Sequence, residues 1–172
     1  MYKNRGMLLE TIINQTIDYY TYNHIAFIEK KGLPIKFSNI TSKENKLLLF
    51  NAFVYKRSTV DYIGCYKGRF IAFEAKSTNE SFLASGNIKE HQKNYLKEID
   101  KNGGIAFLIV FFGLYDEFYL LMYSDFMKIE SKNQYRYEWI KKIGKRIPLT
   151  FPGIIDFLPY IDFKYKRNKL QN

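Results

Sequence analysis

The sequence predicts an α/β fold in which helices flank a central sheet. Three observations predict it. Residues 105–112, Ile-Ala-Phe-Leu-Ile-Val-Phe-Phe, are apolar throughout, the signature of a strand covered on both faces. Two segments, Met7 to about Tyr22 and Asn87 to about Asp100, carry apolar residues near period 3.6 and read as helices lying on that sheet. Residues 58–76 alternate apolar and charged side chains about a Lys67-Gly68 turn, which reads as a β-hairpin.

In chain order, the first helix places Leu8, Leu9, Ile12, Ile13, Thr16, Tyr19 and Tyr20 on one stripe. Glu10 falls in its first turns, where an acid is favoured by the helix dipole. Arg5, just ahead of it, either meets a phosphate or faces water. Residues 25–29 form a short strand, and Lys30-Lys31-Gly32-Leu33-Pro34 turns the chain. Residues 35–57 read as an extended excursion, helical or strand-like and too apolar for disorder, with an ordinary surface loop as the competing reading. Their arms, 35–40 and 47–54, bracket a polar middle carrying Lys43, Glu44 and Lys46, and Lys56 and Arg57 close the stretch. After the hairpin, 77–86 reads as a polar loop and Asn87 as the cap of the second helix. That helix puts Ile88, Gln92, Tyr95, Leu96 and Ile99 on its inner stripe. Gln92, the strongly polar member, is either hydrogen-bonded in the core or aimed at a site. Gly103-Gly104 ends the helix, and 117–123 neighbours the apolar strand. Residues 133–142, with Trp139, read as a further helix. The tail cations Lys164, Lys166, Arg167 and Lys169 read first as a solvated end and second as DNA contacts.

The chemistry concentrates in the hairpin. With Lys67 and Gly68 as the turn, Asp61 opposes Glu74 and Thr59 opposes Lys76, and all four share one face. Directly opposed side chains lie about 4.5–5.5 Å apart at Cβ, so two carboxylates there repel unless a cation sits between them. Alternating charges on a solvated hairpin face are the competing reading. Against it, Val60, Tyr62, Ile71, Phe73 and Ala75 make the other face apolar, and Ile63 and Ala72 carry apolar character onto the charged face, so the hairpin belongs inside a sheet.

Composition bounds the rest. The 172 residues suit one domain, 1–172, with 47% hydrophobic and 18% aromatic content excluding disorder. Twenty-seven Lys and Arg against seventeen Asp and Glu give +10, which favours a polyanionic partner, nucleic acid before anionic membrane. One cysteine, Cys65, and two histidines argue against an internal disulfide and a zinc cluster. No apolar run approaches the ~18 residues of a spanning helix, and the start does not resemble a signal peptide, so a cytoplasmic protein is expected.

The order helix, strand, arm, acidic hairpin, helix, strand, strand resembles the PD-(D/E)xK nuclease core, and more closely the RecU family of Holliday-junction resolvases. Arg5-Gly6-Met7-Leu8-Leu9-Glu10 resembles that family's amino-terminal helix motif. Ser58 to Gly64, Tyr66 to Ile71 and Phe73-Glu74-Ala75-Lys76 resemble its catalytic block. His91-Gln92, Gly103-Gly104-Ile105 and Ile147-Pro148-Leu149 follow in matching order, and 35–57 occupies the place of the family's stalk. The resemblance implies a restriction-endonuclease-like core, a mixed central sheet flanked by helices, with a stalk projecting from it at 35–57. It implies Asp61 and Glu74 as ligands of Mg²⁺, with Mn²⁺ a substitute, and the Ala75 carbonyl and Thr59 as further ligands. Lys76 matches the motif lysine that orients or deprotonates the attacking water. Thr59 and Gln92 match additional polar catalytic positions, and Glu10 an accessory acid. Arg5, Lys43, Lys46, Lys56 and Arg57 are the expected DNA contacts.

The function so implied is resolution of four-way DNA junctions in bacterial recombination and repair. A homodimer acting at the nucleoid with recombination proteins is expected, and the arm and the strands at 105–123 are its candidate interfaces. Two alternatives stay open: a general nuclease of the same superfamily without junction preference, and a nucleic-acid-binding protein without catalysis. The stalk here departs from the family in carrying Glu44 and few arginines.

Overall fold

The structure, a computed structural model, describes residues 5–56 and 58–161. Arg57 and the tail cations Lys164, Lys166, Arg167 and Lys169 lie outside the described residues, as does the side chain of Arg5. In chain order come α1 (Arg5–Tyr22), β1 (Phe27–Lys30), β2 (Ile35–Lys36), β3 (Asn39–Lys43), β4 (Lys46–Phe50), β5 (Phe53–Val54), β6 (Tyr62–Tyr66) and β7 (Arg69–Thr78). There follow β8 (Phe82–Ala84), α2 (Glu90–Lys101), β9 (Ile105–Phe112), β10 (Glu117–Met122), α3 (Tyr123–Phe126), β11 (Gln134–Arg136), α4 (Tyr137–Ile143) and β12 (Lys145–Ile147).

Six strands make the central sheet in the order β1-β6-β7-β9-β10-β12. Only β7 and β9 run parallel, and α2 bridges them over one face, so the sheet is mixed as expected. The two faces bury two cores. Leu9, Ile13 and Tyr20 of α1 pack on Tyr62, Ile71, Phe73 and Phe107, where Phe73 lies stacked between Tyr62 and Phe107 at centroid distances of 4.8 and 4.7 Å. The opposite face joins Ala72, Leu108, Val110 and Tyr119 to Leu96 of α2, Phe126 of α3 and Ile140 of α4. All eight residues of β9 are buried, which is why its sequence lacks alternation. Thr16, polar within the stripe of α1, accepts the Ile155 N–H at 3.0 Å and so ties the helix to the chain's later turns.

The hairpin forms in the expected register, Tyr62 opposite Phe73 and Ile63 opposite Ala72, with Lys67 and Gly68 at φ 50° and 74°. Two left-handed residues in succession give a turn whose twist matches that of the strands. Gly64 lets β1 approach: a Cβ there would lie 2.2 Å from the Phe27 carbonyl oxygen.

Several expectations need correction. The strand starts at Tyr62, so 58–61 is not part of the ladder. Lys31 N–H donates to the Asp61 carbonyl at 2.8 Å, and Val60 consequently enters the α2-side core instead of sharing a face with Tyr62. Residues 77–86 are not simply a polar loop, because β7 runs to Thr78 and β8 pairs with β11. The same pairing makes Gln134–Arg136 strand, shortening the helix of Trp139 to Tyr137–Ile143. Lys89, not Asn87, caps α2, its N–H held by Gln92 Oε1 at 2.8 Å. Since α1 begins at Arg5, Glu10 lies beyond the first turn and gains little from the helix dipole. Finally, β9 and β10 are internal strands, so 105–123 offers no open edge for a dimer.

The arm is a long hairpin. Ile35 pairs with Val54, Asn39 with Phe50 and Lys43 with Lys46, one register throughout. At its waist Ser38 N–H donates to the Phe50 carbonyl at 3.0 Å and Asn51 Nδ2 to Ser38 Oγ at 3.0 Å. Glu44 and Asn45, at φ 50° and 59°, form the tip. Every residue of β2 to β5 is exposed.

Candidate active site

Even-numbered residues of β7 face α2, so Glu74 and Lys76 project from a rigid strand toward Gln92. Glu74 is fully buried. Its Oε1 accepts from Gln92 Nε2 at 2.6 Å and from the Lys76 ammonium, and its Oε2 accepts from the Asp61 N–H at 3.2 Å. Asp61 is fixed in turn, its Oδ2 accepting the Ala75 N–H at 3.1 Å. Gln92 is oriented at both ends of its amide, because its oxygen already caps α2. The lone polar residue on the α2 stripe is thus both bonded in the core and aimed at the site.

Burial, then the neighbouring Asp61 charge, pushes the Glu74 carboxyl up to about 8, with Lys76 partly offsetting them. Burial also raises the Tyr62 phenol, and the charges of Glu10 and Asp61 add to it, so both acids bear on the same ring. Tyr62 in turn donates to Asn14 Oδ1 at 3.2 Å.

Asp61, Glu74, Lys76 and Gln92 therefore come together as expected. Thr59 does not oppose Lys76 in a ladder; its hydroxyl accepts from the Lys31 ammonium. Glu10 pairs with Lys30 and stays half-exposed. Lys43 and Lys46 face each other near the arm's tip, and Lys56 is exposed. The sequence places two neighbours only in a turn and on a helix stripe, not at the site: Lys31, and Tyr95, whose ring lies 5.0 Å beneath the Lys31 ammonium. The adjacent cations Lys30-Lys31 at the end of β1 were the available signal.

Among the described residues no group of three or more His, Cys, Asp or Glu gathers to form a closed metal cage. Asp61 and Glu74 are hard oxygen donors, one of them buried with its charge disfavoured, a pair that fits a divalent cation completing its shell with water and phosphate.

The family model for Recombination protein U, RecU, matches residues 4–163. Over 159 residues, 92% of this chain and 94% of the relative, the chain is 45% identical to a Holliday junction resolvase RecU of Mycoplasmopsis pulmonis. It is 34% identical to the protein of the same name from Oceanobacillus iheyensis, over 96% of this chain and 88% of the relative. A solved Holliday junction resolvase of Archaeoglobus fulgidus aligns with a TM-score of 0.48 at 9% identity, covering 81% of this chain and 91% of that one. No helix among the described residues is long and apolar enough to cross a membrane.

Proposed function

The chain belongs to the RecU family, and from that premise we propose that it is a Mg²⁺-dependent endonuclease that resolves four-way DNA junctions. One observation carries the metal-dependent chemistry: a buried carboxylate, Glu74, held against Asp61 with Lys76 and Gln92 on the same face. Asp61 and Glu74 are the residues that would hold the cation, which when bound polarises the scissile phosphate and activates water. The other roles belong to the chain. Gln92 locks the Glu74 carboxylate in one orientation, so a ligand oxygen waits in place. Lys76 sets a positive charge beside that carboxylate, where it orients the attacking water and offsets the anionic charge that builds on phosphate. Mn²⁺, an oxygen-seeking divalent ion of similar coordination, would substitute.

The arm supplies shape selection. Its exposed paired strands, with Lys43 and Lys46 near the tip, would enter the phosphate-ringed centre of an open junction, an opening that duplex DNA lacks. Paired strands need paired cuts, so two copies related by a two-fold axis are expected, and light scattering showing only monomer during paired cutting would contradict this. The test of the site is Asp61→Asn. It should reduce junction cleavage at least ~10³-fold in Mg²⁺ while binding persists, because phosphate contacts elsewhere carry the affinity. Near-normal nicking by the purified variant would remove the metal site, and equal cutting of matched duplex by the wild type would favour a general nuclease.

A further inference from the structure

Among the described charges around Asp61 and Glu74, one cation is left without a countercharge. The Lys31 ammonium donates to the Thr59 hydroxyl and lies 5.0 Å from the centre of the Tyr95 ring. Its own N–H is tied to the Asp61 carbonyl at 2.8 Å, so both ends of the residue are fastened to the loop that presents Asp61. No carboxylate pairs with it among the described residues. The contrast with its neighbours is sharp: Lys30 is neutralised by Glu10 and Lys76 by Glu74. A hydroxyl and a ring face hold an ammonium in position but leave its full charge available. A lysine stem has many rotamers, and here much of that freedom is already given up before any ligand arrives.

We propose that Lys31 is a second cation of the active site, a catalytic residue that binds a non-bridging oxygen of the phosphate being cut. It rests on the reading of this site as a phosphodiester-cleaving centre. Lys31 moves no proton; it offsets charge on the phosphate, already in the bound state and more strongly as that charge grows in the transition state.

The test uses the full chain and a synthetic four-way junction. Binding is measured in EDTA across a salt series, and cleavage as a single turnover in Mg²⁺. Lys31→Ala should lower the cleavage rate about 100-fold, the typical loss for one preorganised donor. It should also reduce the slope of log affinity against log salt by about 1, since one phosphate contact disappears. Lys31→Arg should restore the slope and part of the rate. Thr59→Val separates positioning from contact: if Lys31 served only to place Thr59, both variants would lose the same rate and neither would change the slope. Should Lys31→Ala fail to fold, Lys31→Met keeps a stem over Tyr95 and is read in the same way. An unchanged slope, or cleavage within threefold of wild type, overturns the proposal. Asp61→Asn run beside it keeps the two readings apart, because an active Asp61→Asn removes the cleavage site itself, whereas an inactive one beside a normal Lys31→Ala removes only Lys31.

Discussion

Replacing Glu74 by Gln should abolish cleavage and at the same time stabilise the metal-free protein. The carboxyl stands near 8 in the fold because it is buried beside Asp61, against 4.5 for an ordinary glutamate. A raised carboxyl contributes fully to stability below about pH 4.5, where both folded and unfolded chains are protonated, and loses that contribution as pH rises toward 8. At about 1.36 kcal/mol per unit, the wild type should lose on the order of 3 kcal/mol by pH 7 and 4–5 kcal/mol by pH 8. Glutamine has one amide oxygen, so it can accept from Gln92 and Lys76 or from the Asp61 N–H but not from both sides, and its NH2 then faces a donor. The net gain is therefore smaller, about 2 kcal/mol, or roughly 4–8 °C in Tm for a chain of this size. Thermal unfolding in EDTA at pH 5, 7 and 8.5 should show the variant gaining on the wild type as pH rises, from less stable at pH 5 to more stable at pH 8.5. Excess Mg²⁺ should raise the wild-type Tm at pH 8.5 and leave the variant's unmoved. A variant less stable than wild type at pH 8.5, or an advantage independent of pH, would refute the reasoning.

Three further outcomes are expected. Gln92→Ala removes a 2.6 Å donor from a buried carboxylate and should slow single-turnover cleavage about 10–100-fold; a loss under threefold would mean that Glu74 is oriented without it. Gly64→Ala would push a Cβ against the Phe27 carbonyl at 2.2 Å, so urea unfolding should show a loss of about 3 kcal/mol as β1 is forced from β6, and an unchanged midpoint would contradict that approach. Replacing residues 39–46 by a two-residue Asn-Gly turn should weaken junction binding relative to duplex while leaving the Mg²⁺ stabilisation of the core intact. An unchanged junction-to-duplex ratio would take shape selection away from the arm.

What the sequence determined by itself is local or periodic. A two-residue turn ending in Gly68 imposes one register, and a period of two then places Glu74 and Lys76 on one face with no tertiary information. Likewise the unbroken apolar run of β9 announces a strand buried on both sides, and the stripe containing Gln92 announces the helix above it. Tertiary structure decided whatever depended on partners distant in the chain. Asp61 is held outside the ladder because Lys31, thirty residues earlier, bonds its carbonyl. β8 becomes a strand only because β11 arrives to pair with it. Glu10 meets Lys30, not the helix dipole, and Lys31 finds Thr59 and Tyr95. Such contacts join short segments whose own preferences are weak, and propensity yields to the hydrogen bonds and burial that the assembled sheet supplies. The countercharge of each lysine is settled in the same way, by which carboxylates the fold brings within reach, and no spacing along the chain could show that Lys31 alone among these three would be left without one.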